Sequence, residues 1–259
     1  MAKIINFENE LSDSIDKAQD IIWYAWDTED PVERHALVKK ALKIDPGCTD
    51  AYNVLGYDEK DGDKRLGYFT QAIECFKKRY DQKYFDETIG YFWGVMETRP
   101  FMRALQGYGQ ILWEKGRSKE AIETFNYMLT LNPSDNQGVR YALVSWLFIA
   151  DDLKGVRKLL KTYTEGTACM RFSALLLKIL EKKDTKLIRK QYDAAVEANG
   201  YVIPYLLKKK RIPAAIPDHY ALGSKEEAII YVNDEYGAAA WKTYPEALKA
   251  LAEMANEGK

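Results

Sequence analysis

Nucleophilic or metal-based chemistry in this 259-residue chain would have to be built from two histidines and three cysteines. His35 falls on a helix-forming stretch and His219 in a proline-bounded loop beside Asp218, so neither stands at the spacing of a metal site or a proton relay. Cys48, Cys75 and Cys169 are odd in number and far apart, which fits neither a disulfide framework nor a metal-binding pair. They are expected as buried thiols in a reducing compartment. The run Asp58-Glu59-Lys60-Asp61-Gly62-Asp63 has the composition of half a calcium loop. No register, however, places ligands at the first, third and fifth positions with Gly at the sixth and Glu at the twelfth, so a solvated turn is expected. Gly107-Tyr108-Gly109 lacks the third glycine of a dinucleotide fingerprint and lies inside a helical pattern, where small residues serve packing. Walker, His-Glu-x-x-His and Gly-x-Ser-x-Gly motifs are absent. The expectation is a non-catalytic protein with no cofactor and no metal.

Charge gives a second line of chemistry. The formal net charge of -1 conceals an uneven distribution: residues 1–30 carry two Lys against eight Asp plus Glu, whereas residues 154–211 carry 15 basic against five acidic side chains. That basic block includes Lys178, Lys182, Lys183, Lys186, Arg189 and Lys190 and the run Lys208-Lys209-Lys210-Arg211. It could meet nucleic acid, making the chain a nucleic-acid-associated regulator, or the acidic ends of the chain itself. Aromatic residues for base stacking are few there: Tyr163, Phe172, Tyr192, Tyr201 and Tyr205. The N-terminal residues lack the basic start and apolar core of a signal peptide. The longest apolar stretch, residues 139–150, is interrupted by Arg140 and Ser145, short of the roughly 18 residues a membrane span needs. A cytoplasmic protein without a membrane span is expected.

The elements that must position these residues read as helices. Asp30-Pro31-Val32-Glu33 combines a capping Asp, a first-turn Pro and an acidic third position, predicting a helix to about Lys43. Thr98 or Arg99 before Pro100 opens another to about Lys115, closed by Gly116. Ser118 is expected to cap a helix to Leu131, Asp135 one to about Ala150, and Asp152 one to about Tyr163. Thr167 and Asp184 offer two further starts. Strand-like alternation is scarce, so the fold class is all-α, built of antiparallel helix pairs.

The pairs recur at about 34 residues. Leu105, Tyr108, Gly109 and Leu112 on one helix, then Ala121, Phe125 and Met128 on the next, ending at Pro133, resemble the tetratricopeptide family. Looser copies cover Val38, Ala41, Leu42 and Pro46, with Arg34 at a small-residue position, and Tyr52, Leu55, Gly56, Phe69 and Ala72, with Arg65 at the equivalent one. The runs Tyr84-Phe85-Asp86-Glu87-Thr88, Phe92-Trp93-Gly94-Val95-Met96-Glu97-Thr98-Arg99-Pro100-Phe101-Met102-Arg103 and Leu131-Asn132-Pro133-Ser134-Asp135-Asn136-Gln137 are similar to bacterial tetratricopeptide proteins related to the suppressor-of-tumorigenicity 7 family. The resemblance implies a right-handed superhelix of helix pairs and brings no catalytic residue.

It also implies a site. In such superhelices the first helix of each pair lines the concave face through its second, fifth, ninth and twelfth positions. Those positions are Arg103, Gln106, Gln110 and Trp113 in one pair and Gln137, Arg140, Val144 and Leu147 in the next. Arg103 and Arg140, with Asn136 and Gln137 as neutral partners, could receive a carboxylate on a protein or peptide partner. Alternatively they pair with Glu97, Asp135 or helix C-termini and hold the stack. The family's carboxylate clamp is not reproduced, because Asn53, Tyr57 and Gly107 stand at its positions. Aromatic runs such as Ile22-Trp23-Tyr24-Ala25-Trp26 are mostly core, with some rings left to line a groove. The expected organisation is a repeat domain over 1–198 and a capping arm over 199–259. Pro204, Pro213 and Pro217 keep 199–223 extended, Ser224-x-x-Glu227 forms a capping box, and Pro245 starts a last helix ending near Glu257. The arm either caps the stack or fills its groove. The function expected is that of a scaffold or adaptor capturing a partner segment.

Overall fold

The structure, a computed structural model, describes residues 2–233 and 237–257, with side chains from Asp13 onward. Among the described residues it is helical throughout, with no strand. The chain divides into two compact units, Met1–Val139 and Arg140–Lys259, a division that falls inside the stretch expected to form one repeat domain.

The first unit is built of three helix pairs. α1 (Ala2–Asp27) packs on α2 (Pro31–Ile44), α3 (Thr49–Asp58) on α4 (Gly62–Arg79), and α6 (Arg99–Glu114) on α7 (Ser118–Leu131). The first helices α1, α3 and α6 lie side by side, and α4 packs against α6. Between α4 and α6 comes an insertion, α5 (Gln82–Thr88) and a 3-10 turn at Met96–Thr98. Local chemistry sets most boundaries. Asp30 accepts a hydrogen bond from the Val32 amide and Asp61 from the amides of Asp63 and Lys64, so each satisfies otherwise orphaned donors. The acidic run 58–63 is thus a turn: Asp61 caps α4, Glu59 accepts from the amides of Lys60 and Asp61, and Asp58 holds Arg34 at 2.6 Å. Gly116, at φ 75°, closes α6 in the left-handed conformation. Ser118 differs from expectation: it begins α7 as a helical residue, and Arg117 occupies the cap position with no side-chain cap.

Phe69 is the keystone of the packing between pairs. Its ring lies against both Gly56 of α3 and Gly107 of α6, where a Cβ would collide with it. Gly109 meets the Phe125 ring in the same manner, 2.6 Å from where its Cβ would stand. The arginines at small-residue positions turn away from these contacts: Arg34 donates from Nε and Nη2 to the Thr28 carbonyl, and Arg65 pairs with Glu114 at 2.7 Å. The insertion is held by rings, with Phe76 and Phe101 stacked at 4.5 Å and Phe85 packed 5.5 Å from both Phe92 and Phe101.

In the second unit α8 (Val139–Ile149) starts at the last residue of the first unit. It is followed by α9 (Leu153–Thr162), α10 (Ala168–Leu180), α11 (Thr185–Asn199), α12 (Val202–Leu206), α13 (Lys225–Val232), α14 (Ala238–Thr243) and α15 (Pro245–Glu257). Asp152, Thr167 and Asp184 cap their helices as expected. Asp135 accepts from the Val139 amide at 2.9 Å, so α8 starts later than its position suggested. Residues 199–223 are not wholly extended, because α12 carries Pro204 within its first turn, where no intrahelical N–H is needed. α13, α14 and α15 follow, with α13 and α15 packed on α10.

Ser224 caps the Glu227 amide at 3.1 Å, but the expected return bond of the capping box is redirected. The buried Glu227 carboxylate accepts instead from the amides of Gly223 (2.7 Å) and Ala168 (2.8 Å) and from Asn199 Nδ2 (3.0 Å). It thereby ties the arm to the N-terminus of α10.

All three cysteines are buried thiols. Burial pushes the Cys48 and Cys169 thiols up to about 12 from 9.0, and the Tyr57, Tyr84, Tyr141 and Tyr244 hydroxyls up to about 12 from 10.0. These groups ionise first in the unfolded chain, so their contribution to stability is complete below pH 9 and is lost as pH rises toward 12. A series of melting temperatures should therefore fall progressively from about pH 9 upward; a flat profile to pH 11 contradicts this.

Candidate functional site

The first unit contains a groove of about 400 Å³. One wall is α1, whose Asp16, Gln19, Asp20 and Trp23 recur at three- and four-residue steps and so share a face. The other wall combines Arg79 and Tyr80 at the end of α4, Met96 and Glu97 of the 3-10 turn, and Arg99 and Arg103 from the first turns of α6. Thr49, Phe76 and Pro100 also line it. The insertion before α6 supplies the 3-10 turn and is fixed in position by Phe85 and Phe92, which pack against Phe101.

Two of the three arginines are committed to internal carboxylates. Arg79 grips Asp45 at 2.6 Å. Arg103 is bidentate to the fully buried Asp50, through Nε at 2.9 Å and through Nη2. Asp50 also accepts from Gln19 Nε2 (3.0 Å) and Asn53 Nδ2 (2.8 Å), and Asn53 donates on to the Pro100 carbonyl at 2.8 Å. One carboxylate on α3 therefore joins α1, α3 and α6. Arg99 differs. Its Nε donates to the Trp93 carbonyl (2.9 Å) and its guanidinium sits 5.4 Å from the Trp93 ring centre, with no carboxylate partner among the described residues. Asp16, Asp20 and Glu97 are exposed carboxylates of the groove without an ion pair among the described residues. Trp23 and Met96 are half exposed beside them.

The residues expected from the repeat register fall on both units. Arg103 lines the groove but is turned onto Asp50, rather than onto Glu97 or a helix C-terminus. Gln106 accepts from Gln137 Nε2 at 2.7 Å, so these two do come together, and Gln137 reaches the Met102 carbonyl as well. Gln110 and Trp113 are half-buried on α6, and Asn136 is exposed, accepting from Asn132 at 3.2 Å. Arg140 belongs to the second unit, where it pairs with Glu165 at 2.5 Å, donates to Tyr141 Oη at 2.7 Å and packs on the Tyr141 ring. Sequence reasoning missed Asp16, Asp20, Arg79, Glu97 and Arg99, and it took the Trp23 run chiefly as core. The spacing of Asp16, Asp20 and Trp23 along one helix was the available signal.

Comparison with known proteins gives a tetratricopeptide repeat at residues 103–135, matching the best-formed helix pair. No curated protein sequence matches the chain. Among solved structures, YrrB, described as a TPR protein with an unusual peptide-binding site, aligns over 76% of this chain and 90% of its own, at 18% identity and a TM-score of 0.44. No described helix is long and apolar enough to cross a membrane.

Proposed function

We propose that the chain is a non-catalytic peptide-binding module, a scaffold or adaptor that holds a partner segment in the groove along α1, α3 and α6. The observation that carries this reading is the composition of that groove. Trp23 and Met96 offer exposed apolar surface beside an Arg99 guanidinium that has no carboxylate, while the neighbouring arginines are already neutralised. An apolar side chain of the partner packs on Trp23 and Met96, and its carboxyl group meets Arg99 in the role the sequence assigned to Arg103 and Arg140. Asp16, Asp20 and Glu97 disfavour a wholly acidic segment, so the partner carries basic groups as well. Arg103 acts one step back, keeping α6 in place through Asp50. The tetratricopeptide repeat at 103–135 supports this reading.

Affinity capture from the native host, quantified for the parent chain and for Trp23→Ala and Arg99→Ala, tests it. Each substitution is expected to reduce the captured partner by about tenfold or more, as truncation of an anchor does, with the melting temperature unchanged. Undiminished capture by both variants refutes the groove as the binding site.

A further inference from the structure

The segment between α12 and α13 has no role in the groove, and its chemistry is unusual for a loop. Residues 207–223 run without helix, a length uncommon for irregular chain inside a compact unit. Both ends are pinned: Tyr205 and Leu206 are buried, while Asn199 Nδ2 donates to the Ser224 carbonyl at 2.8 Å and Gly223 to Glu227. Between these anchors the chain is open to solvent. It begins with Lys208, Lys209, Lys210 and Arg211, all exposed and without an ion pair among the described residues, against one carboxylate, Asp218. It continues through large apolar side chains that are equally open: Ile216 at 53%, Tyr220 at 47% and Leu222 at 68% exposure.

The backbone at the basic end adds a second observation. Lys208 follows the last turn of α12 at φ 56°, the left-handed position where glycine is the relaxed choice. The turn directs the chain out of α12 into the exposed basic run.

We propose that this arm is a peripheral docking segment for an anionic lipid surface. The four cations lie against the headgroups, and Ile216, Tyr220 and Leu222 enter the boundary between headgroups and acyl chains. A nucleic acid would meet the cations equally well, but it would leave the aliphatic side chains of Ile216 and Leu222 in water. A lipid surface accounts for both halves of the segment.

The test is co-sedimentation of the full chain with vesicles of phosphatidylcholine alone and of phosphatidylcholine mixed with phosphatidylglycerol, beside retention on heparin. Binding is expected to the mixed vesicles only and to weaken with added salt. Replacing Lys208, Lys209, Lys210 and Arg211 together by Gln lowers it by more than about tenfold, while replacing all three lysines by Arg preserves it. Ile216→Ser with Leu222→Ser lowers vesicle binding severalfold and leaves heparin retention as it was. Circular dichroism confirms that each variant keeps its helices. The proposal is overturned by no binding to either vesicle, by vesicle binding indifferent to the Ser pair, or by retention on heparin without vesicle binding, which assigns the arm to a polyanion such as nucleic acid.

Discussion

Asp50→Ala destabilises the first unit by about 3–5 kcal/mol, the usual cost of breaking a buried ion pair by removing one partner. The carboxylate is fully buried and receives four hydrogen bonds from Gln19, Asn53 and Arg103. Without it, the donors of three helices lose their common acceptor. Arg103 is the less costly side of the pair, because its side chain keeps 27% exposure and can turn toward water. The large term is therefore the loss of the acceptor shared by Gln19, Asn53 and Arg103 rather than a stranded charge. Arg103→Met alone leaves the fully buried carboxylate without its cation and is expected to be at least as damaging. Replacing both, as Asp50→Leu with Arg103→Met, recovers part of the stability, since two apolar side chains of similar length need no partner. The recovery stays incomplete because Gln19 and Asn53 each lose the hydrogen bond they gave to Asp50. Urea unfolding of the parent chain, Asp50→Leu, Arg103→Met and the double variant measures the coupling. If Asp50→Ala costs less than about 1 kcal/mol, the carboxylate is not the organising contact described here.

Phe69→Ala is the second large effect, about 3–5 kcal/mol for removing a buried ring. Phe69 is wholly buried, lies edge-on to Tyr57 at a centroid distance of 5.0 Å, and fills the space that Gly56 and Gly107 leave between α3 and α6. The contact can be perturbed from its other side. Gly107→Ala drives a methyl group into the ring and should cost about 1–3 kcal/mol, through overpacking rather than through helix propensity, which favours Ala. The two changes should not add: with Phe69→Leu in place the smaller side chain admits the methyl group, and Gly107→Ala becomes nearly neutral. Thermal unfolding of the two single variants and the double variant decides the matter. Additivity within about 0.5 kcal/mol places the ring and the glycine out of contact.

The parts of the fold legible in the sequence were those written locally. Asp30 with Pro31, Asp152, Thr167, Asp184 and Ser224 each announce a helix start through a side chain that bonds an amide two or three residues on, and no distant contact is needed to see it. Gly109 beside Phe125 was legible for a related reason, because the small position of a repeat is set by spacing within one helix pair. The short elements were not. α5, α12 and α14 span seven, five and six residues, too few for a helical period to show.

The site was legible in half. Helix spacing brought Gln106 and Gln137 forward, and the structure joins them. It also brought Arg103 forward as open to a ligand, because nothing near residue 103 reveals that a buried acid waits 53 positions earlier. Conversely, Arg99 carried no register signal: it opens α6 ahead of the repeat positions, and its freedom from a carboxylate is a matter of what the insertion leaves out of reach.

Repeat proteins are commonly modular, since each unit contacts only its neighbours and can be gained or lost without disturbing the rest. The carboxylate of Asp50 removes that freedom from the first three helix pairs. A copy of α3 inserted beside the original would bring a second buried acid with neither a Gln19 on one side nor an Arg103 on the other, and deleting α3 would strand both. The array is thus fixed in number at this point in the chain. Lineages that lengthen or shorten it are expected to do so beyond α7, or to have changed residue 50 first.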